Sequence, residues 1–182
     1  PAPGGGSLSA YMGALGAALG TMVGNLSAHK PGWDARWEEF STWAEKGHAI
    51  MVKLLALVDE DTAAFNKIMA AFGLPKGTPE EKAARSAAIQ AATLYATQVP
   101  LRTMKASFEV FDVVRAMAVD GNPNSVSDAG VGALAAWSAV QGAWINVKIN
   151  AAGLKDRRIA EEILAEATEI AAAATIQREE II

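Results

Sequence analysis

The chain has 182 residues, a formal net charge of −4 and no cysteine. That length suits one domain with a sizeable core, and the missing thiols exclude disulfides, thiolate metal sites and a cysteine nucleophile. Two histidines are too few for a histidine-rich metal centre, and the acidic balance argues against a general nucleic-acid partner.

The first element opens after Pro3-Gly4-Gly5-Gly6, with Ser7 placed as its N-cap, and runs over residues 7–25. Residues 4–27 carry no charge, and Gly13, Gly16, Gly20 and Gly24 fall at helical spacing. Membrane helix pairs share that pattern. Large aliphatic residues are few, however, and no basic segment precedes the run as in a signal peptide. A helix apolar on all sides reads instead as one buried in the middle of a bundle.

After the polar turn Ser27-Ala28-His29-Lys30-Pro31-Gly32 an apolar stripe passes through Trp33, Trp37, Phe40, Ala44, Gly47, Met51, Leu54, Val58, Phe65, Ile68 and Phe72. Steps of three and four predict one long amphipathic helix. Gly73-Leu74-Pro75-Lys76-Gly77 ends it, and Thr78-Pro79-Glu80-Glu81 spells a capping box with proline at the first helical position. The alanine-rich helix that follows meets Pro100, which is expected to kink or interrupt it, and a further helix stops at Asp120-Gly121. The turn-rich loop 121–126 leads into a second nearly uncharged helix over residues 127–150, closed by Gly153. A last helix from Asp156 onward alternates charged and alanine faces, as a surface helix does. No strand pattern occurs. The expected fold is all-α, a single domain over residues 1–182, with two buried central helices sheathed by amphipathic ones.

Asp61 is the first candidate for chemistry. At about 100° per residue it lines up with Leu54 and Ile68 in the middle of the apolar stripe, whereas Asp59 points nearly the opposite way. A carboxyl group on a core-facing stripe is paired, protonated or held for use, and a structural acid satisfied by a lysine or a helix end is the alternative. Gly4-Gly5-Gly6-Ser7 before a helix forms either an anion or oxyanion site or a flexible lead-in. Ser127-Asp128 open the second uncharged helix, where capping and the helix dipole are a sufficient explanation. Asn146 and Asn150 lie four apart on one face of that helix, and buried amides need partners in the protein or in a heterocyclic ligand. Gln141 poses the same question, the five tryptophans read as core or interface, and His29 and His48 read as surface residues.

In series, these segments resemble one family. They are Pro3-Gly4-Gly5-Gly6-Ser7, Leu57-Val58-Asp59-Glu60-Asp61-Thr62-Ala63-Ala64-Phe65, residues 73–82, Val99-Pro100-Leu101, Gly121-Asn122, and Ser127-Asp128 through Asn146 and Asn150. The family is the cyclodeaminase domain of formiminotransferase-cyclodeaminase together with its stand-alone methenyltetrahydrofolate cyclohydrolase relatives, and the likeness covers residues 3–158. Two departures stand out. Lys30 matches while the turn around it differs, and the helix that often precedes the PGGGS motif is absent from this sequence.

The resemblance implies a multihelical, cytoplasmic enzyme, a homodimer or larger, acting on tetrahydrofolate one-carbon units. No cofactor is implied beyond tetrahydrofolate as the carrier of the substrate. It implies Asp61 as the catalytic residue and gives binding roles to Gly4, Gly5, Gly6, Ser7, Lys30, Asn122, Ser127, Asp128, Asn146 and Asn150. It implies no metal, no nucleic acid and no membrane, and it leaves room for a formiminotransferase domain upstream or as a partner. Cyclisation of 5-formiminotetrahydrofolate to 5,10-methenyltetrahydrofolate with loss of ammonia ranks first. Hydrolysis of the methenyl bridge to 10-formyltetrahydrofolate ranks second, and a non-enzymatic helical scaffold third. Lys30, Lys76 or Arg102 is expected to meet the negative glutamate tail.

Overall fold

A computed structural model describes residues 3–182; Pro1 and Ala2 lie outside the described residues. Five helices follow in chain order: α1 (Gly5–Ala28), α2 (Trp37–Phe72), α3 (Pro79–Asp120), α4 (Val126–Ala151) and α5 (Arg157–Ile181). Short 3₁₀ turns precede α2 and α4, and no strand occurs among the described residues. The all-α bundle expected from periodicity is the fold observed.

Small residues set how closely the helices approach. A Cβ added at Gly16 would lie 2.8 Å from the Gly132 carbonyl oxygen, so α1 and α4 meet almost backbone to backbone. Ser9 opposite Gly142 and Gly16 opposite Gly132 fix the pair as antiparallel. α1 and α4 run through the middle as expected, but they are not sheathed on every side. Their alanine and glycine faces are buried, while Leu8, Tyr11, Leu15, Met22 and Leu26 of α1 and Val131, Leu134, Ile145 and Ile149 of α4 are exposed.

α2 follows its predicted stripe through Phe40, Ala44, Gly47, Leu54 and Leu57, all buried. The stripe drifts by one position beyond Leu57, so that Ala64 and Ala71 are buried while Phe65 and Phe72 are exposed, and Trp37 is exposed in the first turn. Trp33 precedes α2 and stacks on Phe40 with ring centroids 5.5 Å apart. The Thr78–Glu81 capping box is present in both directions at the start of α3. Gln141 donates to the Ala171 carbonyl 3.0 Å away and joins α4 to α5, and His29 and His48 are exposed.

Pro100 does not interrupt its helix. α3 runs unbroken for 42 residues with Pro100 buried inside it. A proline lacks the N–H that the carbonyl four residues back would accept, here that of Ala96. The Asn150 side chain supplies the missing donor, its Nδ2 lying 2.8 Å from the Ala96 oxygen. One buried proline and one amide on another helix are therefore a single structural unit.

That pairing predicts coupled stabilities. Asn150→Ala should cost about 1–3 kcal/mol by orphaning a carbonyl, and Pro100→Ala should return the N–H and recover about 1 kcal/mol of that loss. Urea titration of the two single variants and the double variant checks it, and strict additivity would refute the coupling.

Candidate active site

The helix that sequence reading opens at Ser7 opens instead at Gly5, with Gly4 as a cap that has no side chain to offer. The N–H groups of Gly5, Gly6 and Ser7 therefore lack intrahelical partners, as first-turn amides do, and their partial positive charge collects at this end. Ser7 sits in the first turn, buried, and its hydroxyl is directed sideways to α2. It donates to Asp61 Oδ2 over 2.8 Å and lies 3.4 Å from the Thr62 hydroxyl.

Asp61 holds the phase predicted for it, between Leu54 and Ile68, with Asp59 turned out to solvent. It is half-buried rather than sealed in the core, because it lines a cavity of about 380 Å³. Among the described residues no lysine or arginine pairs with it. Glycine is required beside it. A Cβ at Gly6 would come within 2.6 Å of the Asp61 Cγ, so any side chain there drives the carboxyl group off the helix end.

α4 closes the opposite wall. Asn146 donates through Nδ2 to its own Gly142 carbonyl at 2.9 Å, and Asn150 donates to Ala96. Both bonds end on carbonyl oxygens, which can only accept, so each amide must turn its nitrogen toward the protein. The amide oxygens are left as acceptors beside the cavity that both residues line. Phe65 and Ile68 supply the apolar wall. Phe65, read from sequence as core packing, is instead 52% exposed at the rim. One bare helix end, one unpaired carboxyl group, two amide acceptors and an aromatic face thus converge on one space. A flat heterocycle with ring N–H donors suits the amides, and a reacting carbon would lie between Asp61 and the helix amides.

Gly4, Gly5, Gly6, Ser7, Asp61, Asn146 and Asn150 all line this cavity. Lys30, Asn122, Ser127 and Asp128 do not. They lie at the other end of α1, whose 24 residues span about 36 Å at 1.5 Å per residue. There Lys30 sits 3.8 Å over the Trp33 ring, and the Asn122 amide donates to Ser27 Oγ at 2.8 Å. Ser127 is not a cap, since α4 starts at Val126 after Ser125, and Asp128 lies in its first turn. Within one chain these four form a separate group.

Sequence reading passed over Thr62 and the cluster next door. Glu60 accepts from the Tyr95 hydroxyl at 2.5 Å and from Arg102 at 2.6 Å. The Tyr95 hydrogen bond first, and the Arg102 guanidinium second, hold the Glu60 carboxyl below its ordinary range. Arg102, a candidate for the glutamate tail, is therefore already engaged. The signal was present as an acid and an arginine on neighbouring helices, but their register could not be read from one strand of sequence.

Two predictions test this geometry. Gly6→Ala should fold yet lose about 100-fold in turnover, since displacement of a reacting group by an ångström costs that much; near-native activity would show that Asp61 need not rest there. Because Glu60 titrates below its unfolded value, its contribution to stability is present above the ordinary glutamate range and lost as pH falls through the lowered value. Thermal melts of Glu60→Gln should accordingly differ from native at neutral pH and converge with it in acid.

A profile of the family described as formiminotransferase-cyclodeaminase matches residues 1–169. The methenyltetrahydrofolate cyclohydrolase of Methylorubrum extorquens is 44% identical over 166 residues, covering 91% of this chain and 80% of that protein. The formimidoyltransferase-cyclodeaminase of Rattus norvegicus is 37% identical over 155 residues, covering 85% of this chain but only 29% of the longer rat protein. The crystal structure of formiminotetrahydrofolate cyclodeaminase from Thermotoga maritima superposes with a TM-score of 0.86 at 27% identity, over all of this chain and 86% of that one. The chain belongs to the formiminotransferase-cyclodeaminase family.

Proposed function

We propose that Asp61 moves the proton while this chain, a tetrahydrofolate one-carbon enzyme, makes or opens the bridge between nitrogen-5 and nitrogen-10 of its substrate. The observation that carries the reading is the unpaired Asp61 carboxyl group held against the bare N-terminus of α1, in a cavity with amide acceptors opposite. In cyclodeamination, nitrogen-10 bonds to the carbon of the protonated formimino group, and its proton passes to Asp61 and on to the departing amine, which leaves as ammonia and gives the methenyl cation. In cyclohydrolysis, water bonds to the methenyl carbon and gives Asp61 a proton. Asp61 returns that proton to nitrogen-5 as its bond to carbon breaks, and the remaining hydroxyl proton passes to solvent, leaving the 10-formyl product. Both routes cross a tetrahedral carbon with cationic neighbours, which a carboxylate stabilises, and the first-turn amides suit the oxygen that develops in hydrolysis. Asn146 and Asn150 are assigned to the pterin edge, and Phe65 to its face.

Cyclodeamination is the first reading, supported by the Thermotoga maritima structure, which matches the whole chain. Hydrolysis is favoured by a specific observation of its own, the 44% identity with the Methylorubrum extorquens cyclohydrolase over most of both chains. The rat relative's name couples cyclodeaminase with a formimidoyltransferase, and such an enzyme is the proposed source of substrate for the first reading. Among the described residues no helix is long and apolar enough to cross a membrane, and the proposed location is the cytoplasm.

A homodimer belongs to the same proposal. Leu8, Leu15 and Met22 are exposed seven residues apart on a helix without charge, and α4 adds Leu134, Ile145 and Ile149 beside them. An apolar strip of this length is more than a monomer ordinarily leaves bare. A two-fold axis near Leu15 would set Leu8 against the partner's Met22 and bring the partner's Lys30 toward the glycine run. Both groups of candidate residues would then serve one site.

Following methenyltetrahydrofolate absorbance with each substrate decides the direction, since it rises in cyclodeamination and falls in hydrolysis. Asp61→Asn should remain folded and lose at least about 100-fold in kcat; near-normal turnover would remove Asp61 from the mechanism.

A further inference from the structure

Glu60, Tyr95 and Arg102 have no part in the mechanism above, yet two of them adjoin the walls of the Asp61 cavity. Glu60 precedes Asp61 in α2, and Tyr95 precedes Ala96 in α3. Asp61 and Ala96 both line the cavity, and the Ala96 carbonyl is the one held by Asn150. The Tyr95 hydroxyl donates to Glu60 at 2.5 Å. That bond joins the backbone carrying the acid to the backbone anchoring the amide opposite it.

The bond belongs to a ladder along the α2–α3 seam. Lys46, Lys53, Glu60 and Lys67 recur every seven residues and so share one face of α2. Lys46 pairs with Asp112 at 2.9 Å and Lys53 with Glu109 at 2.8 Å. Glu60 pairs with Arg102 at 2.6 Å, and Lys67 Nζ lies 3.9 Å over the Tyr95 ring. Along this face the charge on α2 is reversed at Glu60, beside the acid. A lysine there would face Arg102 with a like charge and leave Tyr95 without an acceptor. The Lys46 and Lys53 pairs are single contacts between well-exposed side chains, a kind that contributes little. Glu60 differs. One of its oxygens accepts from both Tyr95 and Arg102, its side chain is only 29% exposed, and Tyr95 packs against the core. The bond to Glu60 also raises the Tyr95 hydroxyl above the ordinary tyrosine range, so it remains a donor at any working pH.

We propose that Tyr95 is a positioning residue, held by Glu60 at its hydroxyl and by Lys67 at its ring, which fixes the spacing of α2 and α3 beside the cavity and so the distance from Asp61 to a substrate seated on the α4 amides. The inference rests on the folate reading above. Tyr95 does not itself line the cavity. Releasing its hydroxyl displaces the acid and leaves Asn146 and Asn150 in place, so the effect falls on kcat and not on KM.

The experiment measures kcat and KM of Tyr95→Phe, which keeps the ring and loses the hydroxyl, with whichever of the two folate substrates the native protein turns over. In this variant kcat should fall about tenfold while KM stays within about twofold of native. Glu60→Ala should match that loss, and the double variant should be no worse than either single one. Glu60→Gln keeps an oxygen to accept from the tyrosine and should recover most of kcat. Lys46→Ala breaks a contact between the same two helices about 22 Å along α2 from Asp61, and it should leave kcat at the native value. Native kcat in Tyr95→Phe, a loss that Lys46→Ala reproduces, additive losses in the double variant, or a Glu60→Gln no better than Glu60→Ala would overturn the positioning role and leave the folate reading intact. If the native protein turns over neither substrate, the folate reading falls, and crystal structures of native and Tyr95→Phe protein then judge the spacing alone. A wider separation of Asp61 from Asn150 in the variant supports it, and an unchanged one overturns it.

Discussion

The site depends on one close approach, that of the Asp61 carboxyl group to the first turn of α1. Only a bare backbone at Gly6 leaves room for it, and the Ser7 hydroxyl in the same turn fixes its direction. The glycine run therefore serves two ends at once. It leaves the helix without a side-chain cap, so its amides remain available, and it removes the atoms that would hold the acid away. A conventional serine or aspartate cap would satisfy those amides and fill the space where a substrate must react.

The rest of the bundle keeps that arrangement rigid. Asp61 stands about three turns inside the C-terminal end of a 36-residue helix rather than on a loop, and α1 packs against α4 through glycine and alanine, with little room to shift. Asn150 ties the cavity wall to α3 by satisfying the carbonyl that Pro100 leaves free. A residue that looked like a ligand contact thus has a structural duty as well, and its amide oxygen is what remains for a substrate. The same division holds for Asn146, whose nitrogen is held by its own helix.

Much of this was legible in sequence because it follows from periodicity. The phase of Asp61 relative to Leu54 and Ile68, the Thr78–Glu81 box, and the uncharged character of α1 and α4 depend only on residues a few positions apart. What could not be read depends on lengths and on partners distant in the chain. Phe65 and Phe72 continue the apolar stripe, but the buried line passes instead through Ala64 and Ala71, a drift of one position set by how the neighbouring helices cross α2. Pro100 announces a break, and only an amide fifty residues later removes the need for one. Lys30, Asn122, Ser127 and Asp128 share motifs with the cavity residues but lie at the far end of α1, a separation that motif order cannot express. The grouping of Lys155 with Lys76, Lys82 and Arg85 in one cleft could not be read for the same reason, since it forms only when the α4–α5 turn folds back on α3.

The most direct measurement of the central claim is a crystal structure with a stable reduced folate bearing a one-carbon group at nitrogen-5. The one-carbon group should lie within hydrogen-bond reach of the Asp61 carboxyl group, about 3 Å, with the pterin edge on the amide oxygens of Asn146 and Asn150. A folate seated elsewhere, with Asp61 still bonded only to Ser7 and the cavity empty, would contradict the account.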